Sequence, residues 1–449
     1  LIGVIVGINN RGNLHHIIIV GGGAGGLELA TKLGDSLGRK GKAMITLIDK
    51  TKTHVWKPLL HEIAAGSMDP DKHELNYLAQ AHWHHFKFRL GSMDNLDRTN
   101  REISISPYFD EDGLEVIPRR TVQYDTLIIA VGSTTNDFGV KGASEYSIAL
   151  DTQDQAERFH RRLHNALVRA QTQLAPVQAG QLEVVIVGAG ATGVELSAEL
   201  HNTTRELAAY GLDKIDPDRD IQISLIEASN RVLPALPPKL SNSVELELSK
   251  LRVHLYTGER VTEVTDKGVY THSGRFIPSV LVVWAAGIKA PDFLHEIDGL
   301  ETNRINQLVV HRTLQTTQDE NVFAFGDCSA CPWIGHVNEN VPPRAQAAHQ
   351  QASMLIKSVK RRIGGKTDLP EFTYRDYGSL VNLGSYTTVG NLMGALSGGS
   401  LFIEGMFARL MYQSLYKMHL MALHGFWSTA LQTLARTITR RTESQVKLH

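Results

Sequence analysis

The chain has 449 residues, more than one ordinary hydrophobic core supports, so two or three domains are expected. Apolar residues make up 42% and charged residues 21%, a globular balance, and the net charge of −1 excludes the strongly basic surface of a general nucleic-acid binder. Two cysteines exclude a disulfide scaffold, and no run of about 20 uninterrupted apolar residues offers a membrane-spanning helix.

The opening LIGVIVGINNRGN is apolar but short, lacks a basic start and a small-residue cleavage site, and does not read as a signal peptide. From Ile17 comes IIIVGGGAGGLELATKL: a β-branched strand, a glycine turn spaced G-x-G-x-x-G, then a helix-forming run. Gly21 allows the tight turn. Gly23, with Ala24 beside it, lets backbone approach a pyrophosphate, and Gly26 lets helix pack closely on strand. The phosphates would rest on the free N–H groups and positive dipole end of the helix. MITLIDK is a second strand ending at Asp49, 23 residues after Gly26, where a carboxylate would hydrogen-bond ribose hydroxyls. His54 and His61 are expected to support the following turn rather than catalyse. His82, Trp83, His84 and His85 read as a solvated helix end rather than a metal site, since no further ligands accompany them. YDTLIIAVGS, from Tyr124 to Ser133, is a buried-type strand running into small residues and Gly132.

The same unit then recurs. VVIVGAGATGVELSAEL from Val184 sets Gly188, Gly190 and Gly193 in the three glycine positions, and IQISLIEA ends at Glu227, 34 residues after Gly193. PSVLVVWAAGI ends in Ala286 and Gly287, small residues that let a cofactor pass close to backbone. One such unit binds one dinucleotide, so the chain is expected to bind two. NVFAFGDCSA adds a later strand ending on Gly326–Asp327. Cys328 and Cys331 have C-x-x-C spacing, but without a second pair they read as structural thiols. AQAAHQ, from Ala345, places Gln346 and Gln350 at i and i+4 on one helix face with His349 near it. That spacing alone also fits an ordinary polar helix face.

The tail sets Arg409, Gln413 and Lys417 at i+4 spacing among Phe402, Met406, Leu410, Met411, Leu415 and Met418. Trp427, Leu431, Leu434 and Ile438 follow, accompanied by Arg436, Arg440 and Arg441. From Leu401 onward six Lys/Arg stand against two Glu. A basic, aromatic, amphipathic segment of this kind suits a bilayer interface without crossing it, and a core-packed or dimer-forming helix pair is the other reading.

KPLLHE (Lys57 to Glu62), GATGVELSAEL, WAAGIKAP and PPRAQAAHQQA resemble the type II NADH dehydrogenases, the single-chain NADH:quinone oxidoreductases, from about Ile17 to His449 and most closely in the proteobacterial branch. The resemblance implies an α/β chain of two Rossmann-like dinucleotide-binding domains plus C-terminal amphipathic membrane-anchoring helices. It implies non-covalent FAD on the first glycine turn, with Lys57, Gly132 and Asp327 among its contacts, and NADH on the second. Hydride would pass to flavin and two electrons to ubiquinone or menaquinone, with no proton pumping and no metal. Glu195 would stand nearest the nicotinamide, and Gln346, Gln350 and His349 would hydrogen-bond quinone and relay protons. The implied FAD domain spans 1–150 and 295–370, with an NADH domain at 151–294 and a membrane and dimerisation region at 371–449. The implied location is the cytoplasmic face of the bacterial inner membrane, on anionic lipid. A soluble ferredoxin- or rubredoxin-reductase-like flavoprotein and a nucleotide-sensing, non-enzymatic flavoprotein are the alternatives.

Overall fold

HHIIIV forms the strand His15–Val20, and its β-branched side chains are buried on both faces, as a central parallel strand requires. The computed structural model describes residues 14–211, 213–384, 386–394 and 399–439. The opening LIGVIVGINNRGN and the terminal Arg440 and Arg441 lie outside the described residues. The chain divides into two units.

The first unit comprises Leu75–Gly132, Ala290–Tyr374 and the described part of Leu1–His54. Its six-stranded sheet runs in the order Gln315–Thr316, Asp319–Ala324, Thr126–Ile129, His15–Val20, Ala43–Asp49, Lys87–Leu90. All neighbours are parallel except the edge pair Gln315–Thr316 with Asp319–Ala324. Val20 pairs with Ile48 on one side and Ile129 on the other, so Gly21, Asp49 and Ala130 converge at the carboxyl edge of the sheet. That edge is where open parallel sheets bind ligands. Two helices pack together beside it, Ala24–Leu33 and Ala345–Ile363. Gly25 permits this contact, since a Cβ there would meet the Phe325 ring at 2.6 Å and the Ala348 carbonyl oxygen at 3.2 Å.

The second unit comprises Val55–Glu74, Ser133–Lys289 and the described part of Arg375–His449. Its five-stranded sheet, all parallel, runs Ser147–Ala149, Leu281–Trp284, Glu183–Val187, Gln222–Glu227, His254–Thr257. Val185, Val187, Ile226, Val282 and Trp284 from these strands pack on Val264, Val269 and Ile277. Each such side chain contributes roughly 1.5–3 kcal/mol on burial. The short helix Leu60–Ala65 stops at Gly66, whose φ of +88° lets its N–H turn back to the Glu62 carbonyl at 3.0 Å. The antiparallel sheet Gly378–Leu383, Thr387–Gly394, Gly399–Glu404 also belongs to this unit.

Two helices close the described chain, Met406–His424 and Phe426–Thr439, separated by Gly425 at φ +79°. Ala408, His419, Leu420 and Leu423 of the first face inward, while Phe407, Leu410, Trp427, Leu431 and Leu434 are all more than half exposed. Arg409, which i+4 spacing sets on the same stripe as Lys417, instead donates to the Gly384 carbonyl at 2.9 Å, and Lys417 is exposed. No helix among the described residues is long and apolar enough to cross a membrane.

Candidate functional site

The two glycine turns are built alike. Gly21 and Gly188 have φ of +102° and +104°, which L side chains rarely adopt. A Cβ on Gly26 would lie 1.9 Å from the Gly21 carbonyl oxygen, and one on Gly193 would lie 2.0 Å from that of Gly188. These four positions shape the turn. Gly23 and Gly190 differ, because a Cβ on either would meet nothing within 4 Å. Open space therefore lies against backbone at the N-terminus of each helix, Ala24–Leu33 and Ala191–Ala209, with Gly23 and Gly190 as N-caps that carry no capping side chain. Such a cradle fits a pyrophosphate.

The two acids hold these turns from behind. Gly22 N–H donates to Asp49 Oδ2 at 2.6 Å, and Ala189 N–H donates to Glu227 Oε2 at 2.9 Å. Their other oxygens accept from Thr51 N–H and Ser229 N–H, both at 2.8 Å. Each carboxylate thus orients the turn and still has lone pairs for a ribose hydroxyl. The first turn has further braces. Tyr77 Oη and His54 Nδ1 both donate to the Gly22 carbonyl, at 2.8 and 3.0 Å. Burial lowers His54 to about 4, so it is a neutral support here. Tyr77 carries no motif, and sequence reasoning missed it.

The small residues after the paired strands line these turns too. A Cβ on Gly188 would lie 2.7 Å from Ala286 Cα, and one on Gly21 would lie 2.3 Å from the Ala130 carbonyl oxygen. Gly132 and Gly287 have φ of +71° and +66°. Asp327 follows Gly326, whose N–H donates to Gln351 Oε1 at 2.8 Å. Gln351, beside the glutamines of the motif, therefore positions the Gly326–Asp327 turn from the helix Ala345–Ile363. On that helix Gln346, His349 and Gln350 are partly exposed, and His349 Nδ1 donates to the buried Glu28 carboxylate of the helix Ala24–Leu33.

In the second unit Lys57 Nζ donates to the Ser133 carbonyl at 2.9 Å and to Asp151 Oδ1 at 3.0 Å. Asp151 Oδ2 accepts from Thr135 N–H at 2.8 Å. The KPLLHE segment thus anchors the chain as it leaves Gly132 and Ser133.

A carboxyl cluster lies on the helix Ala191–Ala209. Glu195 is 6% exposed and accepts from Asn382 N–H at 3.0 Å. His61 Nδ1 stands 3.7 Å from Glu195 Oε2, and His61 Nε2 stands 4.0 Å from Glu62 Oε1. Glu199, one turn beyond Glu195, is also buried, and a Cβ on Gly384 would meet its Oε2 at 2.6 Å. Burial raises Glu195 to about 8, opposed by the Asn382 N–H and aided by Glu62. Burial and the Glu199 charge raise Glu62 to about 8, and burial raises Glu199. Burial lowers His61 to about 4. At neutral pH His61 is neutral and the cluster retains protons. Glu195 thus holds its proton at neutral pH. The Tyr412 hydroxyl is buried close enough to interact with Glu195 but makes no hydrogen bond of ordinary geometry. Glu62 and Glu199 were legible only as a neighbour of His61 and an i+4 partner of Glu195. Nothing in the sequence pointed to Asn382 or Tyr412.

Cys328 and Cys331 are both free and fully buried, and burial pushes each thiol up to about 12. Cys328 donates to the Phe325 carbonyl at 3.3 Å. His84 Nδ1 stands 3.1 Å from Asp35 Oδ2. Among the described residues no group of His, Cys, Asp and Glu has metal-site geometry.

Two strand–glycine–helix units, each with its acid, define a two-dinucleotide oxidoreductase fold. Residues 15–352 match the family described as pyridine nucleotide-disulphide oxidoreductase. The chain is 41% identical over 448 residues to the type II NADH:quinone oxidoreductase of Haemophilus influenzae, covering 97% of this chain and 100% of that protein. It is 28% identical over 422 residues to the type II NADH:quinone oxidoreductase NdhA of Mycobacterium tuberculosis, covering 91% of this chain and 84% of that one. The fold is similar to that of NDH2 from Plasmodium falciparum in complex with NADH, with a TM-score of 0.79 at 19% identity, over 96% of this chain and 100% of that one. The chain belongs to the pyridine nucleotide-disulphide oxidoreductase family and, within it, to the type II NADH:quinone oxidoreductases.

Proposed function

We infer that the chain is an FAD-dependent NADH:quinone oxidoreductase. The observation that carries this reading is the pair of open cradles at Gly23 and Gly190 in one chain of this family. FAD fits the first cradle, with Gly21, Gly23, Ala24 and Gly26 against its pyrophosphate, Asp49 at its ribose, and Gly132 and Asp327 along the rest. NADH fits the second, at Gly188, Gly190 and Gly193, with Glu227 at its adenosine ribose and Ala286–Gly287 beside it. Bound FAD supplies two-electron chemistry, accepting hydride from NADH and releasing electrons to quinone.

The protein's own groups bind, orient and hold protons. Glu195 presents a neutral acid on the helix that starts at the NADH cradle. Gln346 and Gln350 offer amide donors to quinone carbonyls, and His349 exchanges protons there. The proposed functional division is 1–150 with 295–370 for FAD, 151–294 for NADH and 371–449 for the membrane and dimer contacts, whereas residues 55–74 and 133–150 fold with the second unit. The exposed apolar side chains of the last two helices lie in the bilayer interface and Lys417 meets anionic headgroups, on the cytoplasmic face of the bacterial inner membrane. Transfer is non-electrogenic, and the acceptor is ubiquinone or menaquinone.

The test is stopped-flow reduction of the purified flavoprotein by NADH, then mixing with a soluble quinone. Fast bleaching followed by fast reoxidation is expected. Bleaching without quinone-driven reoxidation would favour the ferredoxin-reductase-like or sensing alternatives.

A further inference from the structure

Glu28 is a puzzle in the first unit. It sits on the helix that launches from the pyrophosphate cradle, with only 8% of its side chain exposed. A buried carboxylate is costly unless a donor meets it. The donor is His349 Nδ1, 321 residues away in sequence, on the helix that carries Gln346 and Gln350. The His349 side chain stays 27% exposed while its Nδ1 is committed to Glu28.

We propose that Glu28 is a positioning residue for His349, fixing its tautomer and ring orientation so that Nε2 is the nitrogen that exchanges a proton with quinone. This rests on the reading of the helix Ala345–Ile363 as the quinone helix. The argument is one of donor and acceptor counts. A carboxylate only accepts, so Nδ1 carries the hydrogen. The second ring nitrogen is then set as the working atom, as when a carboxylate orients a general-base histidine. Glu28 and His54 are the titratable groups that face His349 from the neighbouring helix and from the strand Thr53–His54. His54 is neutral, so Glu28 is the one acidic group of the two.

The proton count leaves a task for such a group. NADH, quinone and one solvent proton give NAD⁺ and quinol. NADH is oxidised by two electrons and quinone is reduced by two. His349 delivers the solvent-derived proton: the Nε2–H bond breaks, its electron pair stays on nitrogen, and an O–H bond forms on the quinone oxygen. Water then reprotonates Nε2.

The experiment uses full-length, FAD-loaded protein with Glu28→Gln, Glu28→Asp, His349→Ala and the double variant Glu28→Gln/His349→Ala. Gln346→Leu runs alongside. Quinone-driven reoxidation in Glu28→Gln should slow about 10-fold, within the range of a misplaced general acid. The pH profile of its reoxidation should change shape. Glu28→Asp should restore the parent profile, and the double variant should be no slower than His349→Ala alone. Nitrogen-15 NMR of labelled histidines, assigned by loss in His349→Ala, should show Nδ1 protonated in the parent and mixed tautomers in Glu28→Gln. A lowered melting temperature with unchanged tautomer and pH profile would make the pair a simple brace between two helices and overturn the proposal. If Gln346→Leu slows reoxidation while Glu28→Gln does not, the proposal alone fails. If none of the five variants alters reoxidation, the quinone helix itself has been misread.

Discussion

The main-chain N–H of Asn382 donates to Glu195 Oε1 at 3.0 Å, tying the helix of the second glycine turn to the C-terminal sheet of the same unit. The bond meets a carboxyl group that burial keeps protonated to about pH 8. A proton-holding acid, rather than a fixed charge, therefore sits on the helix proposed to receive NADH.

Stability should record this acid. Glu195 and Glu62 have folded values of about 8 against 4.5 for the free side chain, so the folded chain binds more protons between those values. Their contribution is fully present below 4.5 and is lost as pH rises through about 8. His61, lowered from 6.5 to about 4, acts oppositely, contributing stability above 6.5 that is lost as pH falls through about 4. Glu195→Gln removes one ionisation and keeps an acceptor for Asn382. Its melting temperature should exceed the parent's by roughly 2–4 °C at pH 8 and match it at pH 5. An equal gain at both pH values would count against the cluster.

The glycines of the first turn should separate by role. Gly26→Ala places a Cβ 1.9 Å from the Gly21 carbonyl oxygen and should give protein that retains no FAD after gel filtration. Gly23→Ala places its methyl in open space, so folding should survive while FAD affinity falls about tenfold. Flavin absorbance per protein reads both, and full FAD retention by Gly26→Ala is the contrary result.

Glu227 should select NADH over NADPH by repelling a 2′-phosphate. Arg231, four residues on, donates from its guanidinium to the Pro234 and Leu236 carbonyls at 2.8 and 3.1 Å. Glu227→Gln should narrow the kcat/KM ratio between the two by about tenfold or more. Comparable values for the parent enzyme would rule the assignment out.

Gln346→Leu should raise KM for quinone or slow reoxidation by about 2- to 13-fold, the range for a neutral hydrogen bond of ~0.5–1.5 kcal/mol. Reduction by NADH should barely change. Slowed reduction with intact reoxidation would assign the helix to the nicotinamide side.

Membrane association should reside in the last helix. Removing everything after Gly399 would also remove Tyr412, beside Glu195, and the Tyr416 and His419 rings stacked on Trp56 at 5.4 and 5.9 Å. Replacing Trp427, Leu431 and Leu434 by serine changes only exposed positions and is the cleaner test. This variant should leave washed anionic vesicles while keeping FAD, and the parent's binding should weaken with salt. A variant that still sediments with vesicles would move the anchor elsewhere.

What the sequence revealed was local. Gly21, Gly23, Gly26 and Asp49 lie within one strand–helix–strand unit, and β-branched runs such as IIIV and VVIV mark buried parallel strands directly. What stayed hidden was assembled by folding. Glu62, Glu195, Glu199, Asn382 and Tyr412 come from four separate elements, and apart from the i+4 pair Glu195 and Glu199 none has a spacing that predicts the others. Glu28 looked like one polar position in a helix, because its partner His349 is 321 residues away.

The two thiols give the chain an internal clock. Cys328 and Cys331 are inaccessible, and with ionisation pushed up to about 12, only about one in 10⁵ is thiolate at neutral pH even before access is counted. A maleimide therefore reacts only with molecules that have opened around the Gly326–Asp327 turn. The labelling rate, with and without FAD, times how often the proposed flavin seat comes apart.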